Sequence, residues 1–599
     1  MQKSLRYLVE AGFVFIWVLC FVGYAQAEAG STNFASDISA RFDVRVPMRD
    51  GIELSADIWR PAAEGKYPAI LMRTPYVKAL FRPGKDIRVF FSSFAKRGYA
   101  AVYQDMRGRG DSDGKFVQDE GKDGYDTIEW IARQPWSNGR VCMMGVSALA
   151  AVQFAAARMA PPHLECFIPT ATGAFQHVMK TGGALGLDGI QWTFFTSGQM
   201  MQPPVDITFD WDEVAWHRPL VSIDEKIGRP MPIVREFLKS GNHEYDPLVK
   251  TKLGPEDFRR IAIPALHVTG WFDTALPGAM MYWKEMKAYS PAQDQQYLLI
   301  GPWDHVQTIM GGDTRYGEME FGEDSIVDVA KLHTSFFDHY LKGQPGKYDF
   351  PAARLYITGS NKWRDFDVYP PTEAKTWRLY LSSGGHANSL AGDGRLAGQS
   401  GGTKPSDSFT FDPRDPVPSG LGTLAAARPA ASDQRDIEAR DDVLVYTSEA
   451  LDEPLEVIGP VSVELFAATD GRDTDFTAKL VDVFPDGRAV RLGSPKAGMI
   501  RGRFRNGIEH EDLLVPGKVE KYVIDLSHMG HTFLTGHRIR VEISSSAFPV
   551  VFPNQNTGNP IETDTEWRIA HQTIHHSVDH PSAVVLPVFP EIGQPVLPP

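Results

Sequence analysis

The sequence predicts an α/β protein with a mainly parallel sheet, interrupted by a helical insertion and followed by an all-β sandwich. Three observations carry this. Short apolar runs alternate with helical patterns between residues 67 and 170, and again between 262 and 341, which is the rhythm of βαβ units. The stretch 174–260 breaks the rhythm, being rich in Met, Trp and Phe with no strand signal. Beyond residue 441 apolar side chains recur at every second position: Val461, Val463, Leu465; Phe476, Ala478, Leu480; Ile539, Val541, Ile543. At 599 residues the chain is too long for one core, so two or three domains are expected.

In order, Lys3 and Arg6, the apolar run Phe13–Val22 and the small-residue site Ala25-Gln-Ala27 read as a secretory signal peptide over 1–27. A secreted or periplasmic protein is expected, with no membrane contact once the signal is removed. Of three cysteines, Cys20 falls in this segment; Cys142 and Cys166 lie in buried strands and are expected as free, small hydrophobes. A net charge of −14 with no dense basic run excludes a nucleic-acid partner.

Residues 40–60 alternate and read as a strand pair turning at Arg49-Asp-Gly51. Tyr67–Met72 and Gly98–Gln104 are buried strands, the second followed by the glycine-rich loop 105–114, which matches neither nucleotide-binding spacing. Asp123–Gln134 is helical. Val141–Met144 is a buried strand, and from Ala148 the composition switches to Ala, Leu and Gln, which are strong helix formers. Ser147 thus sits on a strand-to-helix turn, the setting of a nucleophile elbow. The literal pattern G-x-S-x-G falls instead on Gly110–Gly114 around Ser112, in a polar loop with no helix behind it. Context favours Ser147. Further strands are expected at Glu165–Thr170, Ala262–Thr269 and Gln296–Ile300, with helices at Ala279–Ala288 and Ile326–Leu341; residues 382–441 read as a long irregular excursion.

Asp273 directly follows the strand 262–269, and His305 the strand 296–300. Carboxyl ends of parallel strands gather on one rim, so Ser147, Asp273 and His305 share it, in the chain order Ser, Asp, His of α/β-hydrolases. A serine hydroxyl needs an imidazole to take its proton, and the imidazole needs a carboxylate to fix its tautomer. Asp304, the rival acid, adjoins His305 and cannot easily reach back to the ring. Trp192, Phe194, Phe195 and Phe272 are candidates for a substrate pocket. The cluster His571, His575, His576 and His580 would be split across two faces by strand alternation, so neither metal nor cofactor is expected.

With these motifs the chain resembles the family of cocaine esterase, α-amino acid ester hydrolases and X-Pro dipeptidyl peptidases. The matching stretches are Arg73-Thr-Pro-Tyr76-Val-Lys78, Asp105–Gly114, Gly145-Val-Ser147, Gly270-Trp-Phe-Asp273 and Gly301-Pro-Trp-Asp-His305. C-terminally they are Arg440–Leu444, Gly459–Val461, Thr474–Phe476, Gly536–Arg540 and Pro581-Ser582. The resemblance implies an α/β-hydrolase catalytic domain over 38–173 and 261–350, a helical cap over 174–260 and a jelly-roll sandwich over 351–599. It also implies an oxyanion hole from the hydroxyl of Tyr76 and the backbone N–H of Ala148. The chain departs from the family in having Ala148 where Tyr is usual and Ala150 where Gly is.

The expected function is hydrolysis of small acyl esters or activated amides. Two alternatives stand beside it: an X-Pro dipeptidyl aminopeptidase or α-amino acid ester hydrolase/acylase, and a non-catalytic hydrolase-fold binding protein, against which the complete triad argues. A peptidase needs an acid to hold the substrate's free amine. The loop Thr274-Ala-Leu-Pro277 after Asp273 offers none, which leaves Asp188, Asp212 and Glu213 in the cap.

Overall fold

The computed structural model describes residues 37–78, 85–116, 121–172, 180–202, 210–239, 253–344, 348–401, 404–420 and 429–590. The expected signal peptide lies outside them. The first sheet has ten strands: β1 (Ile38–Pro47), β2 (Glu53–Pro61), β3 (Tyr67–Thr74), β4 (Ala100–Asp105), β5 (Ser137–Val146), β6 (Leu164–Thr170), β7 (Ala265–Gly270), β8 (Gln296–Gly301), β9 (Ala353–Ile357) and β10 (Lys362–Phe366). Their spatial order is β1-β2-β4-β3-β5-β6-β7-β8-β9-β10. The run from β4 to β9 is parallel, while β1, β2 and β10 join antiparallel. Parallel strands need crossovers that cover both faces of the sheet, which is why β3 from Pro68 onward and all of β4 are buried. Strands β9 and β10 complete this sheet, and the strands of the sandwich start at Lys375.

Helices α1 (Lys85–Lys96), α2 (Gly121–Ala132), α3 (Ala148–Ala157), α4 (Leu187–Phe195), α5 (Leu276–Tyr289) and α6 (Val329–Leu341) are the ones that matter below. Every residue of α3 is buried. Small side chains let it approach closely: a Cβ on Gly124 of α2 would lie 2.6 Å from that of Ala156. Helix α5 starts earlier than its apolar spacing suggests because Pro277 suits a first turn, where its missing N–H costs nothing. Helix α6 starts later, at the cap Asp328, whose carboxylate accepts from the Lys331 N–H.

The cap comprises α4, the short helices Trp211–Ala215, Ile223–Lys226, Pro232–Lys239 and Pro255–Arg260, and a two-residue hairpin, Lys180–Thr181 against Ala184–Leu185. The hairpin tip needs glycine. A Cβ on Gly182, whose φ is +53°, would fall inside the Met499 carbonyl, and the Gly182 carbonyl accepts from Arg501 N at 2.9 Å. The cap is thus docked backbone to backbone on the sandwich.

In the sandwich every apolar residue of the three alternating runs is buried. Two features depart from the sequence reading. Ser406–Phe411, inside the stretch expected to be irregular, is a strand paired antiparallel with Ala570–His575, with Asp407, Phe409 and Phe411 inward. Asp475–Val483 is buried on both faces rather than one; on its polar side Lys479 Nζ bonds Glu542 at 2.9 Å and Gln434 at 3.0 Å.

The expectation for the two cysteines past residue 27 is also corrected. Cys142 and Cys166 are joined in a disulfide, not free thiols. They sit opposite each other on the neighbouring strands β5 and β6, a pairing between segments 24 residues apart that neither strand's own pattern discloses.

Candidate active site

Strands β5, β6, β7 and β8 are consecutive and parallel, so the residues that follow them share one edge of the sheet. Ser147 follows β5. Its φ of 59° and ψ of −121° are conformations a side-chain-bearing residue rarely adopts, and its N–H is anchored on the Thr170 carbonyl of β6 at 2.9 Å. The turn is tight enough that a Cβ on Gly145 would lie 2.5 Å from that of Leu149. Ala148 is the first residue of α3, where no carbonyl one turn back is available to its N–H, and the helix dipole adds positive potential there.

Asp273 and His305 meet after β7 and β8: Asp273 Oδ1 lies 2.7 Å from His305 Nδ1. Asp273 is fully buried and held from every side. Its Oδ1 also accepts from Ala275 N at 2.8 Å, and its Oδ2 from Thr269 Oγ1 at 3.0 Å. Its carbonyl accepts from Ser494 Oγ of the sandwich at 2.7 Å. Asp304 turns away from the ring, its Oδ1 accepting from the N–H groups of Val306 and Gln307 at 2.9 and 2.7 Å. Burial disfavours the His305 cation, but Asp273, then Asp304 and Asp188, outweigh it and hold the imidazole pKa above the ordinary histidine value.

Tyr76, two residues past β3, is almost fully buried, and its hydroxyl is hydrogen-bonded to the Ser147 side chain. Burial raises its pKa, so the phenol stays protonated and able to donate. Ser112 is elsewhere. It is buried, donating to the Asp105 carbonyl at 2.7 Å and accepting from Ser55 N at 2.8 Å, as structural turn serines do.

The four aromatic pocket candidates divide. Trp192 donates its Nε1–H to the Tyr76 hydroxyl at 2.9 Å, and the half-buried Phe195 has its ring 6.1 Å from that of Tyr76. Residues three apart share a helix face, and Phe194 falls on the other one, buried against Trp211. Phe272 is also core, packed on Tyr316 and Phe321. Phe194 and Phe272 thus pack into apolar clusters, whereas Trp192 and Phe195 lie against Tyr76.

Of the cap acids, Asp188 lies in the first turn of α4, ion-paired to Lys496 of the sandwich at 2.6 Å. Glu213 pairs with Lys226 at the surface. The Asp212 side chain lies outside the described residues. Sequence reasoning missed Ser494 and Lys496, since the Ser494–Asp273 contact spans 221 residues and leaves no local pattern. The four histidines do not converge: His576 is buried against Asp407 Oδ2 at 2.9 Å, whereas His571 is on the exposed side of its strand and His575 packs against His580.

An imidazole held by a carboxylate, a serine on a strained turn, and two donors beside it can support attack on an acyl carbon and stabilise the resulting oxyanion. Residues 50–307 match the family model of the X-Pro dipeptidyl-peptidase (S15 family), and residues 346–585 that of the X-Pro dipeptidyl-peptidase C-terminal non-catalytic domain. Cocaine esterase from Rhodococcus sp. (strain MB1 Bresler) is 34% identical over 578 residues, covering 92% of this chain and 99% of its own. A solved α-amino acid ester hydrolase superposes with a TM-score of 0.81 at 25% identity, covering 94% of this chain and 98% of its own. An aminopeptidase from a marine sediment Thaumarchaeota archaeon does so with a TM-score of 0.80 at 26% identity, over the same shares.

Proposed function

The chain belongs to the family of cocaine esterase and the S15 X-Pro dipeptidyl peptidases and is a serine hydrolase; we propose that it cleaves small acyl esters through Ser147, His305 and Asp273. The observation that carries this reading is the 2.7 Å Asp273–His305 bond on the sheet edge that also bears Ser147. His305, its Nδ1–H committed to Asp273, takes the Ser147 proton at Nε2 as Oγ attacks the ester carbonyl. The oxyanion is held by the Tyr76 hydroxyl and the Ala148 N–H. Collapse expels the alcohol, which receives the proton from His305, and water repeats the sequence on the acyl-enzyme.

Ester rather than X-Pro amide hydrolysis is favoured by the pairing of Asp188 and Glu213, the two cap candidates whose side chains are among the described residues. An amide needs its nitrogen protonated in a fixed pose, and the anchor for a free amine would be an unpaired acid. Asp188 is instead neutralised by Lys496, and Glu213 by Lys226. The relative with 34% identity is itself named an esterase. We expect kcat/KM to rank an unsubstituted acyl ester and a Gly-Pro ester above the matching Gly-Pro anilide. A faster anilide, with the lead erased by Asp188→Asn, would replace this reading with a peptidase.

The pH profile supplies a second check. Only neutral His305 is a base, and its pKa is raised, so kcat/KM is expected to fall with pH through a midpoint above the ordinary value of about 6.5. Removing the negative charge in Asp188→Asn is expected to move that midpoint to lower pH. A midpoint that does not move means that Asp188 exerts no field on His305.

A further inference from the structure

The oxyanion donor Tyr76 is itself held by the cap. Its phenol oxygen accepts the indole N–H of Trp192 at 2.9 Å and is hydrogen-bonded to the Ser147 side chain. An indole N–H only donates, and a phenol has one hydrogen of its own. With the indole on one lone pair, the phenol keeps its own hydrogen, which it can offer to the oxyanion during the reaction. The incoming donor also polarises the phenol O–H and strengthens it as a donor.

The same two segments are tied a second time, by the glycine-rich loop that the triad chemistry leaves unused. Arg109 is fully buried. Its Nε donates to the carbonyl of Pro75, the residue before Tyr76, at 2.6 Å. Its Nη1 donates to the carbonyls of Thr196, at 2.5 Å, and Gly198, just past the end of α4. Gly110 and Gln199 exchange two further bonds, at 2.8 and 2.9 Å, across the same junction. The guanidinium therefore brackets the strand end that carries Tyr76 with the helix that carries Trp192.

We propose that Trp192 is a positioning residue of the oxyanion hole: the cap aims the Tyr76 hydroxyl through the indole N–H, and the Arg109 bracket holds the two segments in register. This rests on the hydrolase reading above and adds that the cap takes part in transition-state stabilisation as well as in covering the site. The test is a double-mutant cycle on a short-chain nitrophenyl ester, with active sites counted by fluorophosphonate titration. Trp192→Phe keeps an apolar ring and removes the N–H. It is expected to lower kcat about tenfold with KM nearly unchanged, and to cost almost nothing in a Tyr76→Phe background. Trp192→His, which restores a ring N–H, is expected to recover part of the loss, and it takes the place of Trp192→Phe in the cycle if that variant does not fold. Equal losses in both backgrounds, or a change confined to KM, would make the indole a packing residue and overturn the proposal. Failure of the unmodified protein to be labelled at Ser147 would instead overturn the triad reading, so the two failures are told apart.

Discussion

Replacing Ser147 by alanine is expected to abolish ester hydrolysis, lowering kcat by about a million-fold if Ser147, His305 and Asp273 act as a unit. The size follows from the chemistry. Without Oγ no acyl-enzyme forms, and His305 and Asp273 have no nucleophile to activate. What survives is the contribution of Tyr76, Ala148 and binding to the attack of water, roughly 10³–10⁴ over the uncatalysed rate. Folding should be little affected, because alanine keeps the backbone hydrogen bond from residue 147 to Thr170. A fluorophosphonate should label Ser147 in the unmodified protein and nothing in Ser147→Ala. Labelling at Ser112 would defeat the assignment, although its hydroxyl is already committed to the Asp105 carbonyl and the Ser55 N–H.

How much of this was legible beforehand depends on the range of the interaction. The α/β-then-β architecture was, because burial on a strand or helix imprints a period within ten residues of chain. Ser147, Asp273 and His305 could be nominated because each directly follows a parallel strand, which turns a local signal into a shared edge. The ring packing of Phe194 and Phe272 was not legible, for a related reason. Proximity in sequence to Trp192 or Asp273 does not say which face a side chain takes, and here α4 turns Phe194 toward Trp211. The Cys142–Cys166 bond, the Ser494 hydroxyl on Asp273 and the Lys496 ammonium on Asp188 were illegible, being contacts across strands or domains with no repeat to betray them. Lys496 changes the functional argument most, since it turns Asp188 from a candidate amine anchor into half of an ion pair.

Tyr76→Phe should be the most damaging change to the site that leaves the triad in place. Loss of one oxyanion donor costs ~10²–10³ in kcat, about 3–4 kcal/mol of transition-state stabilisation, with KM for a small ester nearly constant because the donor engages fully only when the carbonyl oxygen becomes charged. Two features keep Tyr76 available as a donor. It is buried, so its hydrogen bond is unscreened by water, and its raised pKa keeps the proton on the phenol throughout the working range. Phenylalanine fills the same space, so the ring contact with Phe195 survives. What it removes is the partner of the half-buried Trp192 N–H at 2.9 Å, and loss of one such hydrogen bond costs a fold about 0.5–1.5 kcal/mol. Thermal unfolding should therefore be measured beside the kinetics. A modest fall in Tm with a 10²–10³-fold fall in kcat fits an oxyanion donor, whereas the same fall in Tm with unchanged turnover would leave Tyr76 a packing residue. In that case the Ala148 N–H would be the sole donor among those assigned here.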